Sequence, residues 1–80
     1  MTYPTSDKEW ADRTARYVKA QLKRHDVTYD ELAERLKPLG YDGETRASIA
    51  NKLARGTFPA PFLLAAMAAI EEGSIKIEDV

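Results

Sequence analysis

The side chains best suited to reading another molecule fall between Glu44 and Arg55: Thr45, Arg46, Ser48, Asn51, Lys52 and Arg55, with no carboxylate after Glu44. Asn51 can bridge the N6 and N7 edge of adenine. Arg46, Lys52 or Arg55 can reach guanine O6/N7 or a phosphate, and Thr45 and Ser48 can donate to backbone oxygens. Double-stranded DNA is the partner such chemistry suits. A plainer reading stands beside it, because polar residues opposite an apolar stripe occur on every surface helix. A second basic set comes earlier: Arg13, Arg16, Lys19, Lys23 and Arg24 follow one another without an acid. Arg16, Lys19 and Lys23 share one side of a helix, where they can track a phosphate backbone or simply solvate the face.

The net charge of -1 over 80 residues conceals this layout. Residues 1–25 and 44–55 are basic by +3 and +2, whereas 26–43 and 71–80 are each acidic by -3. The absence of cysteine excludes disulfides and thiolate zinc sites, and a lone histidine, His25, leaves little for a histidine-built metal centre. No cofactor is implied. Enzymatic chemistry finds no support either: there is no Ser-His-Asp arrangement and no phosphate-cradling glycine loop, and Asp30, Glu31 and Glu34 sit beside Arg35 and Lys37 as a solvated surface would have them. No stretch reaches the roughly 18–20 apolar residues of a membrane span, and the N-terminus is polar, so a cytoplasmic protein is expected.

The elements that must position these residues are helices. Ser6-Asp7-Lys8-Glu9 reads as a capping box opening a first helix, in which Trp10, Thr14, Tyr17, Val18 and Leu22 recur at helical spacing, and Trp10 and Tyr17 are expected in the core. Thr28-Tyr29-Asp30-Glu31 opens a short second helix that stops near Pro38 and Gly40. The turn Gly40-Tyr41-Asp42-Gly43 leads to the third helix, capped by Asp42, Gly43 or Thr45, with Ile49, Ala50 and Leu53 inward and Gly56 as its stop. After Pro59 a fourth helix runs from about Pro61 to Glu72, apolar at every position from Phe62 to Ile70. Ile75-Lys76-Ile77-Glu78 alternates as a short strand would. The expectation is one all-α domain over 1–80, a bundle of four to five small helices containing a helix-turn-helix with an enlarged turn. A flexible segment over 1–5 and a strand-like tail over 74–80 flank it.

Three blocks carry a family resemblance: Val27-Thr28-Tyr29-Asp30-Glu31-Leu32-Ala33-Glu34-Arg35-Leu36, Ser48-Ile49-Ala50-Asn51-Lys52-Leu53-Ala54-Arg55-Gly56, and Pro59 with Leu63 to Ile70. Over about residues 14–70 the chain resembles the Cro and lambda-repressor type of helix-turn-helix. The resemblance implies a DNA-binding bacterial regulator whose third helix is the reader, with Thr28 and Tyr29 near phosphate at the start of the second. Tyr29 stands where that family commonly has glutamine, and Leu36 to Ile49 is longer than the usual turn. The whole chain, from Trp10 to the Ile-Lys-Ile-Glu-Asp tail, also resembles a family of small bacterial proteins carrying a domain of unknown function, which implies a fold and no activity.

A small domain has limited core with which to cover a helix that is apolar all round. Leu64, Ala65 and Ala68, together with Ile75 and Ile77 pairing as strands, are therefore expected to form a homodimer interface, placing two third helices against the half-sites of a pseudo-palindrome. The alternative is a helical adaptor that uses the fourth helix and tail to hold another protein.

Overall fold

Ser6 begins α1, Asp7–Arg24, by accepting the Glu9 amide on its hydroxyl at 3.1 Å in the computed structural model, which describes residues 2–70 and 73–80. The reciprocal half of the expected capping box is not formed. Beyond the His25 cap the chain reverses at Asp26, a non-glycine residue in the left-handed region (φ 55), so that the Val27 amide reaches back to the Leu22 carbonyl at 2.8 Å. Aspartate is among the few residues that tolerate this conformation, and the reversal places Val27 in the core.

Thr28 then starts α2, Tyr29–Leu36, through a complete capping box: its hydroxyl accepts the Glu31 amide, and the Glu31 carboxylate accepts the Thr28 amide. A 3-10 turn over Lys37–Leu39, with Gly40 left-handed at φ 98, lets the Tyr41 amide return to the Leu36 carbonyl at 3.1 Å. Thr45 is the residue that caps α3, Arg46–Arg55, in a second reciprocal box with Ser48, so the helix starts later than Glu44. Across Gly56–Pro59 the chain changes direction by 120° into α4, Ala60–Ile70. The last residues assigned to α4 from the sequence, Glu71 and Glu72, lie outside the described residues.

The core takes Val18 and Leu22 from α1, Leu32 and Leu36 from α2, Ile49 and Leu53 from α3, and Phe62, Ala66, Met67 and Ile70 from α4. Helix α3 packs on α1 and α2, and α4 on α2 and α1. Arg35 links α2 to α4 by donating to the Ala69 carbonyl at 3.1 Å, one of the acceptors a helix C-terminus leaves unpaired. The all-α architecture is as expected. Among the described residues no single helix is long and apolar enough to cross a membrane.

Three details differ from the sequence expectations. The tail is not a strand: Ile77–Asp79 is a 3-10 turn, because the tail has no partner strand and local bonds from Asp79 and Val80 to the carbonyls of Lys76 and Ile77 satisfy its backbone instead. Trp10 is outside the core, 36% exposed and stacked on Tyr3 at 6.2 Å, whereas Tyr17 is buried. Ala50 is exposed, leaving Ile49 and Leu53 as the whole buried stripe of α3.

Gly56 is the tightest point. Its φ of +68 is left-handed, and a Cβ there would overlap the backbone of Ala11 in α1. Gly40 shares the left-handed conformation but faces open space. Gly56→Ala should therefore cost about 2–4 kcal/mol of unfolding free energy, against about 1–2 kcal/mol for Gly40→Ala. Urea unfolding of the two variants checks this, and equal losses would show that the α1–α3 approach is not the constraint.

Candidate nucleic-acid interface

With Ile49 and Leu53 inward, a rotation of about 100° per residue turns Ala47, Asn51, Ala54 and Arg55 away from the core, and all four are exposed. Asn51 and Arg55, with Ser48, Lys52 and Thr57, line one shallow open groove at the C-terminal end of α3. Neither the Asn51 nor the Arg55 side chain makes a hydrogen bond or ion pair with the described residues. Alanines at 47, 50 and 54 keep the rest of the face low, so a broad surface could approach the backbone of α3 closely.

The other candidates on α3 are already engaged. Thr45 and Ser48 spend their hydroxyls on the capping box, and Ser48 also donates to Glu44 Oε1 at 2.7 Å. Lys52 binds both Glu44 oxygens at 2.9 and 3.0 Å, and its ammonium lies 4.9 Å from the centre of the Phe62 ring. With side-chain exposures of 30% for Lys52 and 13% for Glu44, this pair is largely shielded from water. Arg46 meets Asp30 of α2 at 3.7 Å, but both side chains are about 70% exposed, a setting in which an ion pair stabilises little.

Glu44 was not legible as a site residue, because its partner lies eight positions away and no helical spacing pairs them. Its chemistry is nevertheless clear. Burial pushes the Glu44 carboxyl up, and the hydrogen bonds from Ser48 and Lys52 with the Lys52 charge outweigh it, holding the group below the ordinary glutamate value. The one acid at the start of the basic segment is thereby folded inward and neutralised.

On α2, Thr28 is occupied by its cap and Tyr29 is half-buried against the core, so neither side chain is wholly presented to solvent chemistry. Lys19 and Lys23 are exposed on α1. Arg13 and Arg16 belong to another groove, shared with Tyr17, Gln21, Asp79 and Val80. On α4, Leu64 is 62% exposed and Ala68 is exposed, while Ala65 is half-buried. Ile75 and Ile77, at 36% and 52% exposure, border an apolar groove with Trp10, Tyr17 and Leu63.

Residues 10–75 match a family described as a domain of unknown function, DUF6471. The chain belongs to this family. The matched span takes in α2, α3, α4 and nearly all of α1, including the Gly56–Ala11 approach and the Glu44–Lys52 pair, and it stops before the Ile77–Asp79 turn. No curated protein and no solved structure matches the chain.

The Glu44 pair makes stability depend on pH. A carboxylate held below its unfolded-state value contributes stability that is fully present above that unfolded value and is lost as pH falls through the folded one. Glu44→Gln should be less stable than the parent by about 1–3 kcal/mol at pH 7. The difference should shrink in acid, below the ordinary glutamate range. Denaturant titrations at pH 7 and pH 3 check this, and a gap that stays constant would mean that the carboxylate charge is not what holds Lys52.

Proposed function

We propose that this protein binds double-stranded DNA through the outward face of α3 and acts as a small regulator of the Cro-like kind. The observation that carries the reading is the division of labour along α3. Asn51 and Arg55 are exposed, unengaged and side by side in one groove, while the nearby acid, Glu44, is turned inward onto Lys52. A polyanion approaching the Asn51–Arg55 end of this face would meet a bidentate amide and a guanidinium, with the exposed Asp30 carboxylate standing at the Arg46 end instead. The likeness of residues 14–70 to the Cro and lambda-repressor type supports the same assignment.

In this proposal Asn51 and Arg55 read base edges, Arg46 exchanges its weak contact with Asp30 for phosphate, and Lys19 and Lys23 hold the backbone. Lys52, Thr45 and Ser48 act through structure, keeping the start of α3 in place. Thr28 and Tyr29 are left with phosphate contacts from the edge of α2. A homodimer is part of the proposal and rests on α4 alone: Leu64 and Ala68 form an uncovered apolar strip with half-buried Ala65 beside it. The strand pairing expected of Ile75 and Ile77 drops out, since the tail forms no strand.

The test is a salt series of binding to random and genomic DNA, followed by variants. Asn51→Ala should relax discrimination against mismatched sites by about 1–3 kcal/mol. Lys19→Ala or Lys23→Ala should instead weaken all sequences alike and lower the salt slope by about one. If Asn51→Ala and Arg55→Ala both leave a specific complex unchanged, α3 is not the reader. Sedimentation of Leu64→Glu should show loss of dimer together with loss of DNA affinity, and a parent chain that stays monomeric at high micromolar concentration would refute the dimer.

A further inference from the structure

Helix α3 carries Arg46, Lys52 and Arg55, and the three cations are held differently. Arg46 meets the Asp30 carboxylate at 3.7 Å with both side chains exposed, a contact that gives way at little cost. The Arg55 side chain has no hydrogen bond or ion pair with the described residues. Lys52 donates to both Glu44 oxygens at 2.9 and 3.0 Å, and its ammonium lies 4.9 Å from the centre of the Phe62 ring. The carboxylate is fixed from a second side, because Ser48 donates to Glu44 Oε1 at 2.7 Å and the Glu44 side chain is only 13% exposed. An ammonium with a two-oxygen acceptor and an aromatic face, both shielded from water, gives up more on leaving than an exposed lysine would.

Lys52 is nevertheless close to the candidate interface. It lines the same open groove as Asn51, Arg55 and Thr57, so a freed ammonium would emerge on the face that the DNA reading assigns to base contact. There it would bind phosphate as any exposed lysine does, releasing one more counterion and tightening binding to every sequence alike. Glu44 stands against this by occupying the ammonium first.

We propose that Glu44 limits how strongly this protein holds DNA by withholding Lys52 from the phosphate backbone. The inference rests on the DNA reading of α3. Glu44 is a positioning residue in it: the carboxylate touches no DNA and acts through the cation it engages. Removing an internal ion pair partner ordinarily weakens a protein's function along with its stability, whereas here the loss of Glu44 strengthens binding.

The test combines lysine acetylation of the full chain, read by mass spectrometry, with the salt dependence of binding to a random-sequence DNA duplex. In the parent without DNA, Lys52 should react several-fold more slowly than the exposed Lys19 and Lys23. Glu44→Gln should bring Lys52 to the rate of those lysines and steepen the salt slope by about one. The double variant Glu44→Gln/Lys52→Met has the parent's net charge and leaves no buried charge unpaired, so it keeps the test decisive where Glu44→Gln folds poorly. It should bind with the parent's slope. Three outcomes would overturn the inference alone: Lys52 acetylated in the parent as fast as Lys19 and Lys23, a folded Glu44→Gln variant with the parent's slope, or a double variant whose slope falls below the parent's by about one, which would mean that Lys52 already contacts phosphate. A parent chain that binds no duplex at low salt would instead overturn the DNA reading, and this inference with it.

Discussion

The placement of α3 depends on what gathers around the ring of Phe62. Tyr41, from the segment before α3, meets that ring edge-on at 5.3 Å, and Phe58, from the segment after it, stacks at 5.8 Å. Lys52, from α3 itself, sets its ammonium 4.9 Å from the ring centre while paired with Glu44. Both ends and the middle of the candidate reading helix therefore converge on one buried side chain of α4. Aromatic pairs of these geometries add about 0.5–1.5 kcal/mol each beyond their buried area. Their larger effect is angular: they remove the freedom that two loops of this length would otherwise give α3.

That convergence explains how a long connection between α2 and α3 can coexist with a well-placed helix. Loop closure entropy grows slowly with length, so the length of the connection between α2 and α3 costs little in stability. What it threatens is orientation. The segment answers this with successive local restraints: a 3-10 turn at Lys37–Leu39, left-handed Gly40, the half-buried Tyr41 ring against Phe62 and the Thr45 capping box. Glu44 adds the last one by bonding forward to Ser48 and Lys52. At the other end Gly56 lets α3 come against Ala11 of α1, where any side chain would hold the two apart.

Features governed by neighbours in sequence were readable from the sequence. The Thr28 cap, the stop at Gly56 and the buried positions of α2 all follow from helical periodicity and terminal chemistry, whereas the cap of α3 stayed open among Asp42, Gly43 and Thr45 until the fold placed it on Thr45. Features governed by distant partners were not. The alternation of Ile75 to Glu78 resembles a strand, but a strand requires a second one, and no periodicity records its absence. Trp10 has the right spacing for the core yet stays 36% exposed, stacked on Tyr3 and bordering the apolar groove with Leu63, Ile75 and Ile77. In the candidate site the residue types on α3 were legible and their engagement was not: only the folded chain separates Asn51 and Arg55, which are unengaged, from Lys52 and Ser48, which are held by Glu44.

Gln21 extends the same reasoning to the other face of α1. Its position among Tyr17, Val18 and Leu22 puts it on the buried face of α1, where it is 9% exposed and its Oε1 has no hydrogen-bond partner among the described residues. The acidic segment 71–80 bears on the point as well, because Asp79 lies at the rim of the groove that also holds Arg13 and Arg16. The +3 of residues 1–25 is therefore not one continuous phosphate-tracking stripe. Arg13 and Arg16 share a groove with a carboxylate, and Lys19 and Lys23 stand clear of it.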